Sequence, residues 1–175
     1  SCTDEAPMRI LMLAASLSIA LSACADAQKS GEPAVQSMPM LSAANTIEAC
    51  LGRYPDIAAR ESECIGEYAS ACMRLSRDGE TNAGMIRCTV EEYEAWDARL
   101  NVSYGAYMQR LEAPRDAGLR EAQRAWMALR DADCDFSASA YEGGSMQPLV
   151  SAGCRMDYAA RRTLRLLSWL EGPPY

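Results

Sequence analysis

The chain has 175 residues, 49% of them hydrophobic but only 7% aromatic, which is enough apolar surface for one globular domain and too little for two ordinary ones. Its 17 basic and 24 acidic residues give a net charge of -7, and no run of Lys or Arg could track a phosphate backbone, so nucleic acid is not expected as a partner. The absence of histidine excludes Ser-His-Asp and Cys-His catalysis and the zinc sites that use imidazole.

Residues 1–7 include Asp4 and Glu5 and no methionine, and are read as lying upstream of the true start at Met8. Arg9 is followed by ILMLAASLSIALSA, an apolar run too short to span a bilayer comfortably, with a positive front and small residues at its end. That is the pattern of a secretory signal peptide, giving a leader over 1–23. Leu21-Ser22-Ala23-Cys24 looks like a bacterial lipobox, in which Cys24 is acylated and anchors the protein to a membrane. The other reading is ordinary cleavage near Ala23 or Ala27, which releases a soluble protein. Residues 24–41 are small and polar, punctuated by Pro33 and Pro39, and read as the lipidated N-terminus and a tether.

Export brings an oxidising compartment. Cys50, Cys64, Cys72, Cys88, Cys134 and Cys154 lack the short C-x-x-C pairs of Cys-only zinc sites and are read as disulfides. Sequential pairing suits helix hairpins: Cys50 with Cys64, Cys72 with Cys88, and Cys134 with Cys154. No cofactor or metal is expected, and methionines such as Met38, Met40, Met108 and Met127 read as core filler.

The ordered domain is expected over 42–172. Ser42 is placed to cap a short helix through Arg53, which Pro55 stops. A second helix is expected over 56–76, followed by a turn at RDGETN. Thr81 can cap a long helix over 82–112, where Ile86, Tyr93, Trp96, Leu100, Tyr104, Tyr107 and Leu111 share a face with Asp97 at its edge. Glu91, Glu92 and Glu94 read as a solvated face.

The next helical stretch, 119–134, puts Leu119, Ala122, Trp126, Leu129 and Phe136 on one broad face. Gln123 and Arg130 project near the middle of that stripe, with Asp133 at its edge. Stranding a buried guanidinium costs roughly 3–5 kcal/mol, so Arg130 should meet a carboxylate. Asp97 is the candidate, across an antiparallel pair turning at Pro114. Such a pair is either a network that fixes helix register or a functional site. Gly143, Gly144 and Ser145 then make a turn and cap a last helix over 146–170. Its inner face carries Val150, Gly153, Asp157, Ala160, Arg161 and Leu164, and Asp157 and Arg161, four apart, suggest an ion pair near the core. Gly172, Pro173 and Pro174 end it. The expected fold is all-α, a small disulfide-stapled bundle of about four to five helices including one long helix.

Several spaced motifs match one family together: Cys88, WDARLNVSY at 96–104, LREAQRAWMALRDADC at 119–134, Gly143-Gly144-Ser145, and Cys154 followed by Arg161. In these the chain resembles the bacterial lysozyme-inhibitor LprI-like N-terminal domain family over about 50–170. It departs from the short family pattern by the added cysteine-containing segment at 50–72. The resemblance implies an all-α, disulfide-bonded, exported domain that is often part of a lipoprotein. It also implies a protein that is not itself an enzyme and whose partner is lysozyme or another muramidase. Net negative charge suits such a partner, since an acidic surface speeds encounter with a cationic protein. A structural or assembly role in the envelope without lysozyme binding is the alternative.

An inhibitor of a cleft enzyme must present something convex, and loops between helices are the natural protrusions. The segment 141–148 lies between Cys134 and Cys154 and offers the Tyr141 ring, the Glu142 charge and the Ser145 hydroxyl. The bland reading is that Gly143, Gly144 and Ser145 only make the turn and the cap.

Overall fold

The computed structural model describes residues 41–172. The expected leader over 1–23, the expected acylation at Cys24, nearly all of the expected tether, and Pro173 and Pro174 lie outside the described residues. Six α-helices follow in order: α1 (Ala43–Arg53), α2 (Ile57–Cys64), α3 (Glu67–Leu75), α4 (Asn82–Met108), α5 (Arg115–Ser139) and α6 (Gln147–Glu171). No strand occurs among the described residues, and none of their helices is long and apolar enough to cross a membrane.

Two of the caps, Ser42 and Thr81, are those the sequence points to, and Asp56 adds a third. The side chains of Ser42, Asp56 and Thr81 accept from the backbone N–H groups of Asn45, Ala59 and Gly84, each meeting a donor that the first helical turn leaves free. The helix expected over 56–76 is two helices, because Gly66 takes a left-handed conformation (φ 86°) between Cys64 and Glu67. Only glycine adopts that backbone without strain. α4 ends four residues early, at Met108, and the chain turns through 109–114 before α5.

The disulfides are Cys50–Cys64, Cys72–Cys88 and Cys134–Cys154, and each staples a pair of consecutive helices: α1 to α2, α3 to α4, α5 to α6. With about 15 to 20 residues between partners, each removes unfolded-chain entropy equivalent to roughly 3 kcal/mol.

The main core gathers Ile47, Leu51, Trp96, Ala159, Ala160, Leu164 and Leu167 around the first disulfide, from α1, α2, α4 and α6. α6 packs chiefly along α4 and secondarily along α5. The α4–α6 seam is lined by small residues, including Ser103, Ala159, Ala160 and Thr163, all fully buried, which lets the two backbones approach closely. Thr163 Oγ1 lies 2.8 Å from the carbonyl oxygen of Ala159 and 3.3 Å from that of Trp96. A second apolar cluster of Leu100, Tyr107, Leu119 and Leu166 joins the far end of α4 to the start of α5 and to α6.

The buried line of α4 runs through Cys88, Thr89, Glu92, Trp96, Leu100, Ser103 and Tyr107. Glu92, expected on a solvated face, is 0% exposed. Its Oε1 accepts from Gly66 N at 2.7 Å and Trp96 Nε1 at 3.0 Å, and its Oε2 accepts from Ala69 N at 2.7 Å. The carboxylate therefore does for α3 what a capping side chain does for other helices, which is possible because it faces the helix N-terminus and its free N–H groups.

The predicted inner face of α5 is corrected. Leu129 is 54% exposed and Phe136 80%, and Ala122 is also exposed. Leu119, Gln123, Cys134 and Ala138 are the buried positions. α5 has a single helix, α6, along most of its length, so only a narrow stripe is covered.

Candidate functional site

The α5–α6 pair carries most of the residues singled out in the sequence. Arg130 does not reach Asp97. It pairs with its neighbour Asp131 at 2.9 Å and lies 5.1 Å from the centroid of the Trp126 ring, while Asp97 accepts from Asn101 on its own helix. α6 lies against both α4 and α5, so an acid on α4 and a base on α5 are kept apart. Arg155 of α6 joins the group, bonding Asp131 at 2.8 Å and Asp135 at 3.1 Å. The hydrogen bond from Arg130, and then the charge of Arg155, hold the Asp131 carboxyl below the usual carboxylate range. A partnered and buried arginine does exist elsewhere: Arg60, 8% exposed, bonds Glu171 at 2.8 and 3.0 Å and the Tyr54 carbonyl at 2.7 Å.

Asp157 and Arg161 form the expected i,i+4 pair, at 2.8 and 3.0 Å, but near the surface, with Arg161 also bonding Glu61 at 3.1 Å. The inner face of α6 is instead Ala152, Ala159, Ala160, Thr163, Leu164, Leu166 and Leu167, so the pair contributes little to stability. Asp133 accepts the hydroxyl of Tyr158, and that hydrogen bond, with burial, raises the Tyr158 pKa.

Gln123, 9% exposed, accepts from Arg162 Nε at 2.9 Å. The Arg162 guanidinium lies 5.8 Å from the Trp126 ring centroid and 5.7 Å from that of Trp169, while Arg165 lies 5.6 Å from the Trp169 ring. Trp126, Asp157, Tyr158, Arg161, Arg162 and Arg165 together line an open cleft of about 450 Å³ between the two helices. Burial, and then the adjacent Arg165, push Arg162 below the ordinary guanidinium range, although it stays charged at any physiological pH. Arg162 and Arg165 were not singled out from sequence. The available signal was three arginines at 161, 162 and 165 on a helix whose other face is apolar.

Between α5 and α6, which together form an arm of the domain, the 141–148 loop is exposed along nearly its whole length. Ser145 does not cap α6, whose N-cap is Met146 with no side-chain bond. Its hydroxyl accepts from Asn82 Nδ2 at 2.7 Å, which ties the loop to the start of α4. Gly143 is left-handed (φ 73°) and donates to Gln147 Oε1. Tyr141 at 48%, Met146 at 37% and Glu142 point to solvent, and the Cys134–Cys154 bridge clamps the two helices that flank them.

The family model described as "Lysozyme inhibitor LprI" matches residues 72–166, more than half of the chain. The chain belongs to the LprI family. Among curated proteins it is similar to "Uncharacterized protein R02472" of Rhizobium meliloti (strain 1021), 31% identical over an alignment of 97 residues that covers 48% of this chain and 70% of the relative. It is also similar to "Uncharacterized protein YecT" of Escherichia coli (strain K12), 32% identical over 80 residues, covering 39% of this chain and 49% of that protein. No solved structure matches. The LprI match takes in Glu92, the arginine cleft, the 141–148 loop and two of the disulfides, and leaves α1, α2 and the Cys50–Cys64 bridge outside it.

Proposed function

We propose that this LprI-family protein is an exported, non-enzymatic envelope protein that binds and inhibits a lysozyme-type muramidase through the tip of its α5–α6 arm. Membership of a family described by lysozyme inhibition is the observation that carries this reading. The geometry supports it in a second way. Tyr141, Phe136 and Met146 are exposed large apolar side chains near the disulfide-clamped end of the arm, with Glu142 beside them, and rigid aromatic anchors next to charge are what interface hot spots are made from. The leader over 1–23 and an acylated Cys24, with the following segment as tether, would hold the arm at a membrane surface.

The experiment is a lysozyme activity assay with the purified protein, followed by a binding titration of Tyr141→Ala and Glu142→Lys. The wild type should inhibit in proportion to its concentration, and each variant should bind at least about tenfold more weakly with an unchanged melting temperature. A protein that leaves lysozyme fully active loses the inhibitor reading, and the structural or assembly role in the envelope takes its place. Unchanged affinity in both folded variants removes the loop from the contact surface. For the anchor, Cys24→Ala should move the protein from the membrane to the soluble fraction.

A further inference from the structure

We propose that the cleft between α5 and α6 is a binding site for a small organic carboxylate of about sugar-acid size. The proposal stands independently of the muramidase reading, because it uses a different surface and a different kind of ligand.

Among the described residues, Arg53, Arg60, Arg87, Arg99, Arg120, Arg130, Arg155 and Arg161 each meet an acid, while Arg74, Arg77, Arg110 and Arg124 meet none but are exposed to water. Arg162 and Arg165 have no such carboxylate partner among the described residues. Both line the cleft, three residues apart on the same side of α6, so their charges add there. Asp157, also on the wall, is already engaged by Arg161 through both carboxylate oxygens.

Arg162 is also held in place. Gln123 fixes its Nε, and the indoles of Trp126 and Trp169 lie within cation–π distance of its guanidinium. A planar, immobilised guanidinium has lost most of its side-chain entropy before a ligand arrives, so a carboxylate meeting it gains charge-assisted hydrogen bonds at low ordering cost. Keeping such a charge half-buried without a protein acid is unfavourable by itself, and an incoming anion relieves that.

Three features narrow the class. The volume, about 450 Å³, is far larger than an inorganic oxyanion needs and lies in the range of small-molecule sites. Trp126 and Tyr158 add an aromatic wall to the cationic one, which suits a ligand with a hydrophobic or ring face. With Asp157 engaged by Arg161, the charge left on the wall is that of Arg162 and Arg165, which suits an anionic group.

Isothermal titration of the full-length protein tests this with three probes: N-acetylmuramic acid, its carboxylate-free counterpart N-acetylglucosamine, and inorganic phosphate. The acid should bind at least about tenfold more tightly than the other two, one charge-assisted bidentate contact being worth about that factor. Arg165→Gln, on an exposed side chain, should weaken the acid about tenfold without changing the melting temperature, and Arg162→Lys should do likewise by losing the planar fork while keeping the charge. Equal binding of the neutral sugar, equal binding of phosphate, absence of binding by the acid at millimolar concentration, or wild-type affinity in a folded Arg165→Gln variant would each overturn the proposal.

Discussion

In the α3–α4 region the Glu92 carboxyl is buried, and both of its oxygens are met by protein donors: two backbone N–H groups at the start of α3 and the Trp96 indole. In the α5–α6 arm a positive charge is half-buried at Arg162, where the protein supplies one acceptor, Gln123, and two aromatic faces, but no acid. The first centre is closed and faces the core; the second is open and faces a cleft. Burial of charge alone therefore does not mark a functional site, since a saturated charge is part of the scaffold while an unsaturated one next to solvent is available to something else.

If the closed centre is scaffold, breaking it should cost the most. Glu92→Leu strands three donors in the core and is expected to lose roughly 3–5 kcal/mol in urea unfolding. A loss below about 1 kcal/mol would mean that α3 is held by its disulfide and apolar contacts instead.

The same half contains a titration with a definite sign. Burial, and then the hydrogen bond to Glu91, raise the Tyr68 hydroxyl pKa from its ordinary 10.0 to about 12. A folded-state pKa above the unfolded one means the stabilisation is fully present below about pH 10 and disappears as pH rises toward about 12. Tyr68→Phe should flatten the fall in stability over that window, measured by denaturant titrations at several pH values. A wild-type alkaline slope in the variant would assign the effect to other groups.

The open centre should behave oppositely. Arg162→Met removes a half-buried charge without stranding an acid, so it should change stability by no more than about 1 kcal/mol. A loss as large as that of Glu92→Leu would erase the contrast between the two centres. The smallest expected effect is a coupling energy. Asp97→Asn and Arg130→Met should be additive within about 0.5 kcal/mol, because the two side chains have separate partners. A larger coupling in the double-mutant cycle would mean that they meet in solution.

The helical period, the capping residues and the cysteine spacing were enough to read the fold class, the long fourth helix, the Ser42 and Thr81 caps and a sequential disulfide scheme. All of these depend on neighbours within one or two turns, or on hairpins between consecutive elements. The Tyr141, Glu142 and Ser145 loop was legible as a loop for the same reason, whereas the Ser145 partner, Asn82, is 63 residues away and was not.

What the tertiary structure decided is which side of each helix meets which neighbour. Periodicity shows that Leu129 and Phe136 share a face with Trp126, but α6 covers only a narrow stripe of α5, leaving those two exposed. It shows Glu92 as one acid among three, but only the left-handed turn at Gly66 brings the N-terminus of α3 against that carboxylate. The order α4–α6–α5 in space separated Asp97 from Arg130 and brought Gln123 to Arg162. A sequence fixes the local preferences of each helix. The partner of a buried charge is a long-range property, set by which helices pack together and at what rotation.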